Sequence, residues 1–361
     1  MAEPDTGASP GLRLATIGGV PVHISWSWFA LAAVITVFVG GQFAERTRWG
    51  YALGLAYALI LLVAVLAHEG AHALAARRLG LPVHRVVADF LGGHTAYDSR
   101  TLTPGKAAAI AAAGPLMNLV LAGLGWLGAQ AMPGTLAGAV LGGIGWINLL
   151  LAIFNLLPGL PLDGGQVLEA AVWGLTERRS AGLVAAGWVG RLLTVGIAIW
   201  AIGLPFLAGE RPDLFRAVWA VLLGSVIWRG ATHAIQAGRA RAGLEGRTVD
   251  LVARPVTVVD GDTPFEHLSA PAGSVVLSRV GDRFLLVGSP EGGGPVPSGV
   301  PVSAFSVTFP QGAIVESPPG DELIPVITAM HTSRSGLVVL TERGEPWGVV
   351  AADDLNRLLS A

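Results

Sequence analysis

The sequence has no cysteine. Disulfides, thiolate metal ligands and a cysteine nucleophile are therefore excluded. Charge is scarce too: 13% of the 361 residues are Asp, Glu, Lys or Arg, against about 25% in a typical soluble domain. Lysine is almost missing, with Lys106 the only one. The net charge of -2 holds no basic surplus, which argues against a nucleic-acid partner. Residues 1–21 lack the basic stretch and short apolar core of a secretory leader. What fills the chain instead is apolar: 52% of residues are hydrophobic and the mean hydropathy is +0.60. The long apolar runs lie in the first two thirds, so a polytopic membrane protein with a more polar tail is expected. Arginine in place of lysine, with abundant Ala, Gly and Val, fits a high-GC bacterial genome and hence a bacterial inner membrane.

A run of about 20 apolar residues crosses a bilayer core. Such runs fall near 25–42, 51–75, 107–132, 137–157, 183–207 and 214–235. Arg77, Arg78, Arg85, Arg100 and Lys106 lie between the second and third runs. Arg178 and Arg179 lie between the fourth and fifth, and Arg239, Arg241 and Arg247 follow the sixth. The positive-inside rule then puts both termini in the cytoplasm. Arg191, within the fifth run, reads as a side chain that snorkels to the interface. Between the second and third runs, Pro82 to Ala96 is β-branched and alternating around Gly92 and Gly93. One or two short strands are expected there. The expected fold is an α-helical polytopic membrane protein of about six transmembrane helices with a short membrane-associated β segment. A small cytoplasmic α/β domain follows, dividing the chain into 1–245 and 246–361. Short strands in the second part are expected at 274–278, 283–287, 336–340 and 348–350, with a helix at 353–359, and 291–299 reads as a flexible loop.

The second apolar run contains His68-Glu69-Gly70-Ala71-His72. On a helix, residues four apart share a face, so both imidazoles can grip one metal ion while Glu69 stands beside them. Ionisable groups within a membrane are costly and functional by default. A catalytic zinc has three protein ligands plus water. The third candidate is Asp163, in Leu157-Pro158-Gly159-Leu160-Pro161-Leu162-Asp163-Gly164-Gly165 after the fourth run. The prolines and glycines break the helix there and can turn the carboxylate inward. The alternative is an aspartate that caps the next helix.

Three motifs together resemble the site-2 protease family of intramembrane zinc metalloproteases: His68-Glu69-x-x-His72, Gly114-Pro115-Leu116-Met117-Asn118, and Asn155 through Leu162-Asp163-Gly164. The resemblance runs over about residues 11–235. It implies one zinc ion per chain bound by His68, His72 and Asp163, with Glu69 as the general base. It also implies that Asn118 and Asn155 line the cleft near the substrate backbone; interhelical hydrogen bonding is the competing reading of both. The Gly92-Gly93 segment is similar to the family's membrane-associated strands and joins the expected substrate-binding set. A stretched substrate would then pair with a strand at 86–90 by β-augmentation, a contact that Val87→Pro would remove. His94 stands where relatives carry a small or apolar residue, and a ligand role for it is weighed beside a polar-cleft role. Implied partners are the lipid bilayer and single-span membrane proteins such as anti-sigma factors. The rivals are a catalytically silent scaffold for membrane helices and a transporter with a regulatory tail.

The tail resembles a degenerate pair of cystathionine-β-synthase-type (CBS) domains, best at Gly336 to Leu355. Such modules hold the ribose of an adenine nucleotide with Thr-x-x-Asp. Here Ala351 replaces the threonine and Asp354 remains. The resemblance thus implies regulation or homodimerisation rather than a complete nucleotide site.

Overall fold

The computed structural model describes residues 11–44, 47–89, 93–98, 101–288 and 298–360. Gly92, and residues 291–297 of the expected flexible loop, lie outside the described residues. The chain divides into two compact units, one ending at Ala242 and the other spanning Gly243–Ala361.

The first unit opens with β1 (Leu12–Ile17) and β2 (Val20–Ile24), then α1 (Trp26–Ala44) and α2 (Gly50–Arg78). β3 (Val83–Ala88) and β4 (His94–Tyr97) separate α2 from α3 (Pro104–Ala131) and α4 (Leu136–Asn155). A short α5 (Asp163–Thr176) leads into α6 (Arg179–Ala198). A π-helical turn at Ile199–Gly203 joins α6 to α7 (Leu204–Leu207), and α8 (Leu214–Ala242) closes the unit. Among the described residues, six helical segments are long and apolar enough to cross a membrane: α1, α2, α3, α4, the α6–α7 run and α8. They match the six runs expected from hydropathy. α2 ends on Arg77 and Arg78, where positive charge complements the helix dipole. The Arg77 guanidinium donates to the Gly18 carbonyl at 2.9 Å, tying the β1–β2 turn to the end of this helix.

The strands form one sheet in the order β1-β2-β3-β4. β2 and β3 run parallel; the two outer pairs are antiparallel. Val20, Val22 and Val86 pack on Ala73, so the sheet lies against the face of α2 that follows the histidines. This corrects the expected role of the strand at 86–90. β3 is paired on both sides and has no edge to offer a substrate. Among the described residues, the free edges belong to β1 and β4. β1, β2 and α5 were not expected from the sequence.

The second unit is a seven-stranded sheet of order β8-β7-β6-β5-β11-β10-β9. In chain order it runs β5 (Arg254–Asp260), β6 (Val275–Val280), β7 (Arg283–Val287), β8 (Ser306–Thr308), β9 (Ile314–Glu316), α9 (Leu323–Ser333), β10 (Leu337–Glu342), β11 (Glu345–Ala351) and α10 (Ala352–Ser360). Its main core gathers Val249, Leu323, Val326, Val338, Leu340 and Val350. The later half follows β-α-β-β-α. The earlier half has only single 3-10 turns beside its strands among the described residues. The expected strands and closing helix are present; α9 was not foreseen.

Candidate metal centre

α2 carries His68, Glu69 and His72 on one face, and all three are buried. Asp163 is the first residue of α5, which begins after the turn that ends α4. The N-cap of α5 is Leu162 and no side chain caps the helix, so Asp163 is not the capping residue; it sits in the first turn, where a carboxylate is favoured, and faces the histidines. Its Oδ2 lies 2.9 Å from His68 Nε2 and 3.4 Å from His72 Nε2. The two Nε2 atoms are 3.0 Å apart. His72 Nδ1 donates to the Ile110 carbonyl at 2.7 Å, which leaves the Nε2 lone pair pointing at the other two atoms.

This triangle fits a zinc ion. Tetrahedral coordination at about 2.0–2.1 Å places ligand atoms about 3.3 Å from one another. Three electron-rich atoms packed this closely in a buried site repel one another unless a cation or proton lies among them. The donor set, two imidazoles and one carboxylate, is one that zinc accepts. Glu69 offers a further oxygen within 4.8 Å of the histidine nitrogens. The tighter set nevertheless contains Asp163, and Glu69 is held elsewhere. Thr95 of β4 donates its hydroxyl to Glu69 Oε2 at 2.8 Å and stands 3.1 Å from the Glu69 backbone carbonyl. Glu69 thus flanks the triangle with its carboxylate held by Thr95.

Two glycines make room for this arrangement. A Cβ on Gly114 of α3 would lie 2.4 Å from His72 Nε2 and 2.5 Å from His68 Nε2. A Cβ on Gly93 would lie 2.9 Å from Glu69 Cγ and 2.7 Å from the Val87 carbonyl oxygen, and Gly93 has a φ of +147°.

The peptidase family M50 model matches residues 56–142 and 130–197 of this chain. That match to peptidase family M50 lies wholly within the membrane unit. The matched M50 segment holds α3 and α4 whole, together with every member of the triangle. Among similar proteins, "Putative zinc metalloprotease sll0528" of Synechocystis is 33% identical over 247 residues, 66% of this chain and 63% of that one. "Putative zinc metalloprotease Rip3" of Mycobacterium tuberculosis is 36% identical over 238 residues, 61% of this chain and 57% of that one. This chain thus spans less than two thirds of the length of either relative. The solved site-2 protease from Methanocaldococcus jannaschii aligns at 21% identity with a TM-score of 0.46, covering 62% of this chain and 94% of that one.

The remaining expected residues fall into place unevenly. Asn118 lies on α3 one turn beyond Gly114 and is fully buried, and its side-chain oxygen and nitrogen have no hydrogen-bond partner. The interhelical hydrogen bond that competed for it is not made among the described residues. Asn155 is half-buried at the last residue of α4, where the chain turns toward Asp163. Gly93 adjoins Glu69, whereas Gly92 lies outside the described residues. His94 is half-exposed and sits 3.5 Å from Asp89, outside the His–Glu–His group. Gly114, Thr95 and the Ile110 carbonyl were missed as site residues. Gly114 stood inside a quoted motif, but its contact with the histidines is tertiary and leaves no local signal.

Proposed function

We propose that this chain is an intramembrane zinc endopeptidase that hydrolyses peptide bonds within or near the spans of other membrane proteins. The observation that carries this reading is the buried His68–His72–Asp163 triangle, whose histidines lie on a helix long and apolar enough to cross a membrane, with Glu69 beside it. His68, His72 and Asp163 hold one zinc per chain. When bound, zinc makes water a nucleophile near neutral pH and polarises the scissile carbonyl. Glu69 takes the proton of the attacking water and delivers it to the leaving amine, while the Thr95 hydroxyl keeps its carboxylate in place. Asn118 and Asn155 hold the substrate backbone. The unpaired, fully buried amide of Asn118 supports this, since such groups need a partner.

A substrate helix hides its carbonyls in its own hydrogen-bond ladder, so it must be stretched before cleavage. The free edge of β4, which reaches Glu69 through Thr95, supports strand addition there. Substrates are single-span regulatory proteins of the same bilayer, such as anti-sigma factors. The arginine distribution supports an inner-membrane protein with both termini in the cytoplasm. The second unit acts as a CBS-like regulatory or dimerising module. Arg254 donates two hydrogen bonds to Asp354, at 2.7 and 2.8 Å, so the expected ribose-holding carboxylate is already occupied.

The test is zinc content and cleavage of a panel of single-span substrates by the detergent-purified full chain. Wild type should hold one zinc and cut. Glu69→Gln should keep zinc and lose at least about a hundredfold in rate, and Asp163→Ala should lose zinc. A zinc-free wild type, or a Glu69→Gln protein that cuts normally, removes the protease reading.

A further inference from the structure

α6 and α8 pack as an antiparallel pair, with Gly187 against Ala231 and Gly238 against Ser180. Neither helix contains an acidic residue, yet Arg191 and Arg229 lie deep within them. Arg191 is about 18 Å along from the start of α6, and Arg229 is about 20 Å from the end of α8. Both helical segments are 29 residues long, about 43 Å, against a hydrocarbon core of about 30 Å. With the Leu207 and Leu214 ends at one interface, the two arginines sit about 6–8 Å, little more than one turn, inside the other. Their guanidinium groups can reach headgroup level there.

Arg191 is arranged to receive an anion. Its guanidinium lies 4.9 Å from the ring centres of both Trp188 and Trp228 and donates to Thr232 at 3.1 Å. Its Nε is buried without an acceptor. Trp228 and the exposed Arg229 also line a cavity of ≈ 320 Å³ between α6 and α8, which continues past Thr194 and Gly224 to Ala198 and Ile202. A second cavity of ≈ 400 Å³ meets it at Ala220 and is lined by Trp200, Phe215, Asp213 and Arg216. The π-helical turn at Ile199–Gly203 contributes to both, and such turns recur at functional sites. The result is an apolar groove on a helix pair, lined at one end by Trp228 and Arg229, with Arg191 stacked on that Trp228 and no carboxylate among the first cavity's lining residues.

We propose that this groove binds one anionic phospholipid. Arg191 and Arg229 hold its phosphate, and its acyl chain lies between α6 and α8 toward the π-helical turn. Basic pockets between membrane helices recognise such headgroups in general, and a planar guanidinium suits phosphate in particular. The lipid would brace the helix pair that packs against the Gly159–Pro161 turn before Asp163.

Native mass spectrometry of the detergent-purified full chain tests this, with dioleoyl phosphatidylglycerol and dioleoyl phosphatidylcholine supplied in parallel. Wild type should retain one phosphatidylglycerol with at least a tenfold preference. Arg229→Gln alone, at an exposed position where packing is spared, should cut retention several-fold, and adding Arg191→Gln should abolish the preference. Arg229→Lys should keep most of it. Gly224→Leu, which fills the groove beside Thr194, should lose the retained lipid whatever its headgroup. Equal retention of the two lipids by wild type overturns the proposal. So does unchanged retention in Arg229→Gln, or an equal loss when Arg239 and Arg241 at the end of α8 are replaced by Gln instead.

Discussion

A methyl group at position 114 would occupy the space that His68 and His72 need to face one another. Its carbon would sit inside the contact distance of both Nε2 atoms, so either α3 or the imidazoles must move. Gly114→Ala should therefore weaken zinc binding at least tenfold, as losses of ligand positioning do, and dialysis followed by metal analysis reads this directly. Thr95→Val makes a contrasting case. It removes one hydrogen bond to the Glu69 carboxylate and touches no zinc donor. Zinc content should stay at wild-type level while the turnover rate falls about tenfold or more, the effect of a lost hydrogen bond to a charged group. If Thr95→Val also sheds zinc, Glu69 belongs to the ligand set. At this scale the sequence carries what is periodic. His68 and His72 share a helical face by spacing alone, and Asp163 stands out as an acid in an apolar turn. Gly114, Thr95 and Ile110 reach the site from other elements, and no local pattern marks them.

Among the elements, the six spans are legible because each must bury about 20 apolar residues in lipid. α5 hides because it is only 14 residues long and because Asp163 and Glu169, both on its buried face, break its hydropathy. β1 and β2 hide because strand pairing is a long-range property: β2 joins β3 across the whole of α1 and α2. That pairing also decides which strand can receive a substrate. A sheet read only from 82–96 leaves β3 open, whereas the four-stranded sheet closes it and leaves β4 at the edge. The cysteine-free chain makes the consequence measurable. In the Ala96→Cys protein, on β4, a substrate with one cysteine near its cleaved bond should form a disulfide under mild oxidation. In the Ala15→Cys protein, on the opposite edge strand β1, it should not. Crosslinking at β1 instead of β4 would remove the strand-addition model without touching the metal site.

For the whole molecule, the division of charge follows the division of labour. In its long helices the membrane unit places ionisable groups at the site, at the helix ends and at Arg191 and Arg229. The second unit ties two carboxylates, Glu316 and Asp354, into hydrogen bonds through which pH acts on its stability. Arg254 and Arg357 hold the Asp354 carboxyl below the ordinary carboxylate range, with the Arg254 hydrogen bonds the larger cause. Glu316 is held low as well, by the Thr341 hydroxyl and the Arg343 and Gly344 amides. A carboxylate with a depressed folded-state pKa stabilises the fold fully above its unfolded value of about 3.9–4.3. That stability drains away as pH falls through the folded value. Arg254 is partly exposed, so solvent screens the pair and its contribution should stay below about 1 kcal/mol. In thermal scans of the full chain, Asp354→Asn should therefore melt below wild type at pH 7. The gap should narrow as pH falls below about 4, because wild type then loses the same charge. A gap that stays constant from pH 7 to pH 3 would mean that Asp354 acts through packing or neutral hydrogen bonds. The Arg254 pair would then lose its electrostatic role in joining β5 to α10.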